Sequence, residues 1–100
     1  MPKTIVWSDN AKEDISSLVY YLASNWGKKI ADDYITLIAE LVEQFAEFPK
    51  LYPVIHTRKK IRKCVVSKHN TIYYREKREY VEIISVFDTR QNPDKLKFGK

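Results

Sequence analysis

With a single cysteine, Cys64, in 100 residues, the chain can form neither an internal disulfide nor a cysteine-based zinc site. Cys64 opens the apolar run Cys64-Val65-Val66, which points to a small buried side chain and not to a nucleophile. Two glycines and four prolines are too few for a collagenous or low-complexity chain, and 44% hydrophobic with 31% charged residues excludes a disordered one. No apolar run approaches the ~20 residues that cross a bilayer. Met1-Pro2-Lys3-Thr4 leads into a short β-prone stretch and not into the apolar core of a secretion signal, so the expected location is the cytoplasm, with no membrane partner. No repeat or linker divides the sequence, and its length suits one domain, residues 1–100, around one core.

Arginine is missing from the first half altogether. Residues 1–50 hold five Lys and eight acids, net −3, whereas residues 51–100 hold thirteen Lys and Arg against five acids, net +8. A run of charge is commonly just a solvated face. Here, however, every Arg falls in one half and Arg58-Lys59-Lys60-Ile61-Arg62-Lys63 concentrates charge at one strand entry, which points to an anionic partner.

Thr4-Ile5-Val6-Trp7 reads as a first strand. Ser8 then caps a helix whose first turns carry Asp9, Glu13 and Asp14, where the helix dipole favours negative charge. Ala11, Ile15, Leu18, Val19, Leu22 and Trp26 recur at steps of three and four, so this stripe is expected to face a core, with Trp26 buried at the helix corner. Gly27 ends the helix. A second apolar series from Ala31 through Ile38 and Phe45 to Phe48 runs up to Pro49, and two helices separated by one glycine predict an antiparallel hairpin. Pro49 and Pro53 bound a loop. Ile61 to Val66, Thr71 to Arg75 and Tyr80 to Phe87 then read as three strands with connections too short for parallel crossovers. The expected fold class is α+β, in the order β-α-α-β-β-β, a helix hairpin packed on a small, mainly antiparallel sheet. Alternation on the last strand sets Val81, Ile83 and Phe87 against Tyr80, Ile84 and Val86. Both sets are apolar, so a partner segment or the chain's own tail is expected on the face the helices leave open.

This element order, with the words Ala11-Lys12-Glu13-Asp14-Ile15, Tyr21-Leu22, Trp26-Gly27, Ala31-Asp32-Asp33-Tyr34, Phe48-Pro49, Ile61-Arg62-Lys63, Ile72-Tyr73-Tyr74-Arg75 and Asp88-Thr89-Arg90-Gln91-Asn92-Pro93, resembles the RelE/ParE superfamily of type II toxin–antitoxin toxins, also known as plasmid stabilisation proteins. The resemblance covers nearly the whole chain. It implies a small bacterial toxin of the cytoplasm that needs no cofactor. A cognate antitoxin would hold it inactive in a hetero-oligomer, wrapping the helices and the sheet, and Tyr80, Ile84 and Val86 are its expected contacts.

Two chemistries occupy the superfamily: RelE-like members cut messenger RNA on the ribosome, and ParE-like members trap DNA gyrase without cutting a bond themselves. A nuclease needs a base, an acid and cations around the phosphorane. Its candidates here are Arg62, Arg75, Arg90 and His69. The fit is partial, because Thr71 stands where an Arg is usual on the third strand, and Leu96 and Phe98 occupy the tail where a Tyr or His is expected. Lys68-His69, Tyr73-Tyr74-Arg75 and Trp26-Gly27 resemble the ParE branch, so the expected function is that of a non-enzymatic gyrase inhibitor. Arg90, Arg62, Lys63 and Arg75 are then the candidate target-binding residues. A ribosome-dependent endoribonuclease, or a non-toxic basic nucleic-acid-binding module, is the alternative. Arg90 leads the candidates because it leaves a rigid strand, and its bland reading is a surface pair with Asp88. His69 reads first as a hairpin-turn residue and only second as a base, since its motif completes no nucleophilic set, and His56 has no second imidazole or cysteine near it in sequence with which to hold a metal.

Overall fold

The computed structural model describes residues 2–90; the expectations that rest on Pro93, Leu96 and Phe98 lie outside the described residues. Strand β1 (Thr4–Trp7) leads into helices α1 (Asp9–Trp26) and α2 (Lys28–Glu47), followed by β2 (Val54–His56), β3 (Ile61–Ser67), β4 (Asn70–Glu76) and β5 (Tyr80–Asp88). The strands form one sheet in the order β1-β5-β4-β3-β2. Among the described strands only β1 and β5 run parallel, with Thr4 opposite Tyr80 and Trp7 opposite Ile83. The α+β reading therefore holds with one addition, the three-residue β2, which pairs antiparallel with β3 inside the segment expected to be a loop. Behind Pro53 and only three residues long, it shows no alternation to read.

Ser8 is a joint between layers. Its Oγ accepts the Ala11 amide at 3.0 Å, capping α1, and donates to the Ile84 carbonyl at 2.8 Å, while its own amide donates to the Ile83 carbonyl at 3.0 Å. One serine thus starts the helix and continues the ladder of β5 beyond the end of β1. At the far end of α1 the chain reverses at Gly27, whose φ of 94° few side-chain-bearing residues adopt. Its amide closes α1 on the Ala23 carbonyl at 3.1 Å, and its carbonyl receives the Ala31 amide at 3.2 Å to open α2.

The core lies between the hairpin and the sheet. Ile38, Val42 and Phe45 of α2 meet Cys64, Ile72, Tyr74, Val81, Ile83 and Val86, and α1 adds Ala11 with Ile15 and Leu18 at the margin. Phe45 stacks on Tyr74 with ring centroids 4.0 Å apart and planes 6° from parallel, and Tyr52 meets Phe45 edge-on at 5.6 Å. The Tyr74 hydroxyl donates to the Pro49 carbonyl at 2.9 Å, and burial pushes its phenol up to about 12. Burial also raises the Cys64 thiol, as expected of a packing residue.

Two expectations need correction. Trp26 is 65% exposed, because it is the last residue of α1 and the stripe that reaches the core is confined to the helix's earlier turns. Val86 does not share a face with Tyr80 and Ile84. Tyr74 pairs with Ile83 and Tyr73 with Ser85, which leaves Ile84 as an extra residue in β5. This bulge reverses the alternation beyond it, so Val86 joins Val81 and Ile83 in the core and Phe87 stands opposite Thr71.

Phe45→Ala should cost ~3 to 5 kcal/mol, the usual range for removing a buried aromatic, whereas Trp26→Ala should change stability by no more than about 0.5 kcal/mol. Urea denaturation of the two variants checks the contrast.

Candidate functional site

The two-residue turn between β3 and β4, Lys68-His69, sits beside the exit from β5. Thr89 links them, its amide donating to the His69 carbonyl at 2.9 Å and its hydroxyl to the Lys68 carbonyl at 2.7 Å. The next residue, Arg90, is clamped by Asp88: Nε reaches Oδ1 at 3.0 Å, one terminal nitrogen reaches Oδ2 at 2.9 Å, and the Arg90 amide reaches Oδ1 at 2.9 Å. The guanidinium also lies over the Tyr21 ring, 5.3 Å from its centroid. Arg90 holds the Asp88 carboxyl below the usual range, and Asp88 in turn raises the Arg90 guanidinium. The pair expected at the surface is therefore present, and it orients Arg90 without enclosing it, since the side chain stays 46% exposed.

Arg90 and Asp88 form one wall of a cleft of about 380 Å³, whose other walls come from Asp14, Leu18, Tyr21, Asn70 and Val86. Asn70 is fixed from behind, where the Tyr34 hydroxyl donates to its Oδ1 at 2.7 Å and shares a 2.9 Å hydrogen bond with Ser67 Oγ. Asp14 closes the edge of β5 that β1 leaves bare. One carboxylate oxygen accepts both the Val86 amide and the Ser85 hydroxyl at 2.9 Å. Burial pushes its carboxyl up, against the pull of these two hydrogen bonds.

The remaining cationic candidates lie elsewhere. Arg62 donates to the carbonyls of Tyr52 at 2.6 Å and Lys50 at 3.4 Å, which pins the loop after α2. Arg75 is paired with Glu82 at 2.7 Å. Lys63 is exposed on β3, with its backbone amide on the Pro53 carbonyl at 3.1 Å. Arg75 sits five residues along β4 from Asn70, or roughly 16 Å at ~3.3 Å per residue, so it does not converge with Arg90. His69 and Arg90 share one end of the sheet; Arg62 and Arg75 lie toward the other. Thr71 is buried, so no side chain from that position reaches outward. Of the residues expected to meet an antitoxin, Tyr80 is half-buried while Ile84 and Val86 are 6% and 4% exposed. Exposed apolar side chains stand on the helix hairpin, at Tyr20, Trp26, Ile30 and Leu37, and also at Phe48 and Leu51 after α2 and at Val54, Ile55 and Val65 of β2 and β3. Asp14 and Tyr21 were not legible as site residues, since the first reads as a helix-dipole acid and the second enters only as part of the word Tyr21-Leu22.

A helix hairpin laid on a five-stranded, mainly antiparallel sheet whose first strand runs parallel to its last is the arrangement of the ParE-like toxins. Within that class the family described as ParE toxin of type II toxin-antitoxin system, parDE, matches residues 5–93, and the chain belongs to it. A solved structure with the same fold is the chromosomal ParDE toxin–antitoxin system from P. aeruginosa, 15% identical, superposing with a TM-score of 0.67 over 86% of this chain and 95% of that one. No curated protein matches the sequence. Among the described residues no helix is long and apolar enough to cross a membrane.

Because burial lifts Asp14 above 3.8, the folded chain holds this proton more tightly than the unfolded one. That contribution to stability is complete below pH 3.8 and is lost as the pH rises through the higher folded value. Asp14→Asn removes the titration and keeps an acceptor, so its melting temperature should gain on the parent's between pH 4 and pH 7. Asp14→Ala strands the Val86 amide and should cost ~1 to 3 kcal/mol at any pH. Thermal melts across this range test both.

Proposed function

We propose that this ParE-family toxin arrests growth by binding DNA gyrase without itself breaking a bond, and that a cognate antitoxin neutralises it. The observation that carries the reading is the dispersal of the cationic candidates. A nuclease must surround one phosphate with its base, acid and cations. Here Arg62 is spent on backbone carbonyls, Arg75 on Glu82, and Arg90 stands at the other end of the sheet. A binding protein needs no such convergence. Arg90 serves it well, because Asp88 takes two of the five guanidinium N–H bonds and Tyr21 lies against the same group, which holds it in place while part of it stays open to a carboxylate on the enzyme or a phosphate of its DNA. Lys68 beside it adds a donor of the same sign, and His69 adds a second polar side chain. Family membership over residues 5–93 supports the same reading.

The antitoxin's seat falls, in this reading, on Tyr20, Trp26, Ile30 and Leu37 of the helix hairpin. These side chains are large, apolar and exposed, whereas Ile84 and Val86 are already covered. An aromatic of this size at the centre of an interface is the usual energetic anchor.

Arg90→Ala should abolish growth arrest and gyrase inhibition while changing stability by less than about 1 kcal/mol, the value of an exposed ion pair. Purified parent toxin should block supercoiling and trap the cleaved complex; unaltered supercoiling at toxin excess, or new messenger RNA ends at codons in induced cells, would overturn the gyrase reading. Trp26→Ala should weaken antitoxin binding by roughly 30-fold or more, the equivalent of ~2 kcal/mol. Calorimetry with the co-expressed antitoxin measures this, and an unchanged affinity would move the seat to the sheet.

A further inference from the structure

At the end of the sheet away from Arg90, a second and larger cleft of about 740 Å³ is lined by Lys3, Lys50, Lys60, Arg62, Lys77 and Arg78, with Glu76 as the sole acid among the described residues. These cations come from four separate segments: the approach to β1, the loop after α2, the β2–β3 turn with the entry to β3, and the β4–β5 turn. Folding assembles them, since Lys3 lies 74 residues before Lys77.

Two of the six hold the site's shape. Lys3 Nζ binds the carbonyls of Lys77 and Arg78 and pairs with Glu76 at 3.0 Å, so it fixes the β4–β5 turn and neutralises the single acid. Arg62 fixes the opposite wall through the Tyr52 and Lys50 carbonyls. Lys60 stands in a left-handed conformation, φ 56°, in a turn closed by its amide on the Thr57 carbonyl at 3.3 Å. The side chains of Lys50, Lys60, Lys77 and Arg78 make no hydrogen bond or ion pair among the described residues. A fold that gathers like charges around one cleft, with its only acid already paired, raises a positive potential that a polyanion relieves.

The lining also selects among polyanions. Among the described residues no aromatic side chain lines the cleft and Val54 is the only apolar wall, so these residues offer no platform on which an unstacked base could rest. Recognition by charge alone suits a duplex, which turns its phosphates outward and keeps its bases stacked. We propose that this cleft binds the phosphodiester backbone of double-stranded DNA, independently of sequence and separately from the Arg90 site.

Fluorescence anisotropy of the full-length toxin with a labelled 20-base-pair duplex tests the proposal. If Lys50, Lys60, Lys77 and Arg78 each neutralise a phosphate, the logarithm of the binding constant should fall against that of salt with a slope of about −3 to −4, roughly a hundredfold loss between 50 and 200 mM. Lys60→Glu with Lys77→Glu and Arg78→Glu should weaken binding at least tenfold and flatten that slope. A charge-matched control, Lys12→Glu with Lys28→Glu and Lys29→Glu, should change binding far less. Equal losses in the two triple variants would reduce the effect to net charge and overturn the site. Tighter binding of a single-stranded 20-mer, or displacement of the duplex by poly-glutamate at matched charge, would overturn the assignment to duplex DNA.

Discussion

The stack of Phe45 on Tyr74 is the contact on which most of the structure depends. It joins the last turns of α2 to the middle of the sheet, and Tyr52 closes on it edge-on from the loop that follows. Because the Tyr74 hydroxyl reaches the Pro49 carbonyl, the same residue that fills the core also sets where the chain goes after α2. Arg62 then takes the carbonyls of Lys50 and Tyr52, and Lys63 takes that of Pro53. The position of Lys50 and the short strand β2 follow from this chain of contacts. A buried ring pair thus governs a charged surface at the edge of the molecule.

The other end of the sheet is organised by two polar side chains, the cap of α1 and an acid in its first turns. A parallel strand only four residues long leaves the later half of β5 with an open edge, which is ordinarily costly or prone to pairing with another chain. Ser8 and Asp14 close it, one through the Ile83 and Ile84 carbonyls and one through the Val86 amide. Their reward is the orientation of α1 across β5, and with it the placement of Tyr21 under the Arg90 guanidinium. The two ends therefore differ in kind: one presents a single arginine in fixed orientation, the other a field of several cations.

Much of this was legible in the sequence because it is local. Helical spacing located α1 and α2, Gly27 located their corner, Ser8 the cap, and the short Lys68-His69 connection the hairpin. What escaped depends on tertiary contacts. The bulge at Ile84 has no glycine or proline to announce it, and it alone inverted the faces assigned to Val86 and Phe87. Trp26 fits the apolar stripe by spacing but stands where α1 ends. The basic run from Arg58 to Lys63 pointed to an anionic partner, yet its members divide between the surface and the backbone, and Lys3, Lys77 and Arg78 join Lys60 only in space. Spacing in sequence could not separate Arg62 and Arg75, each already engaged, from Arg90, which is oriented and open.

The parallel pairing of β1 with β5 has a bearing on how the toxin comes into being. Among the described residues β1 finds its strand partner 76 residues later, Thr4 beside Tyr80, once β5 has been made. Until then β1 has no ladder, Ser8 has no carbonyl from β5 to receive its protons, and α1 lacks the strand edge that Asp14 closes. The helix hairpin and the β3–β4 pair are local and form early, whereas the β1–β5 closure must wait on chain growth and on a costly long-range encounter. A chain grown only as far as β4 therefore lacks both the β1–β5 ladder and the wall of the cleft that Asp88 and Arg90 supply.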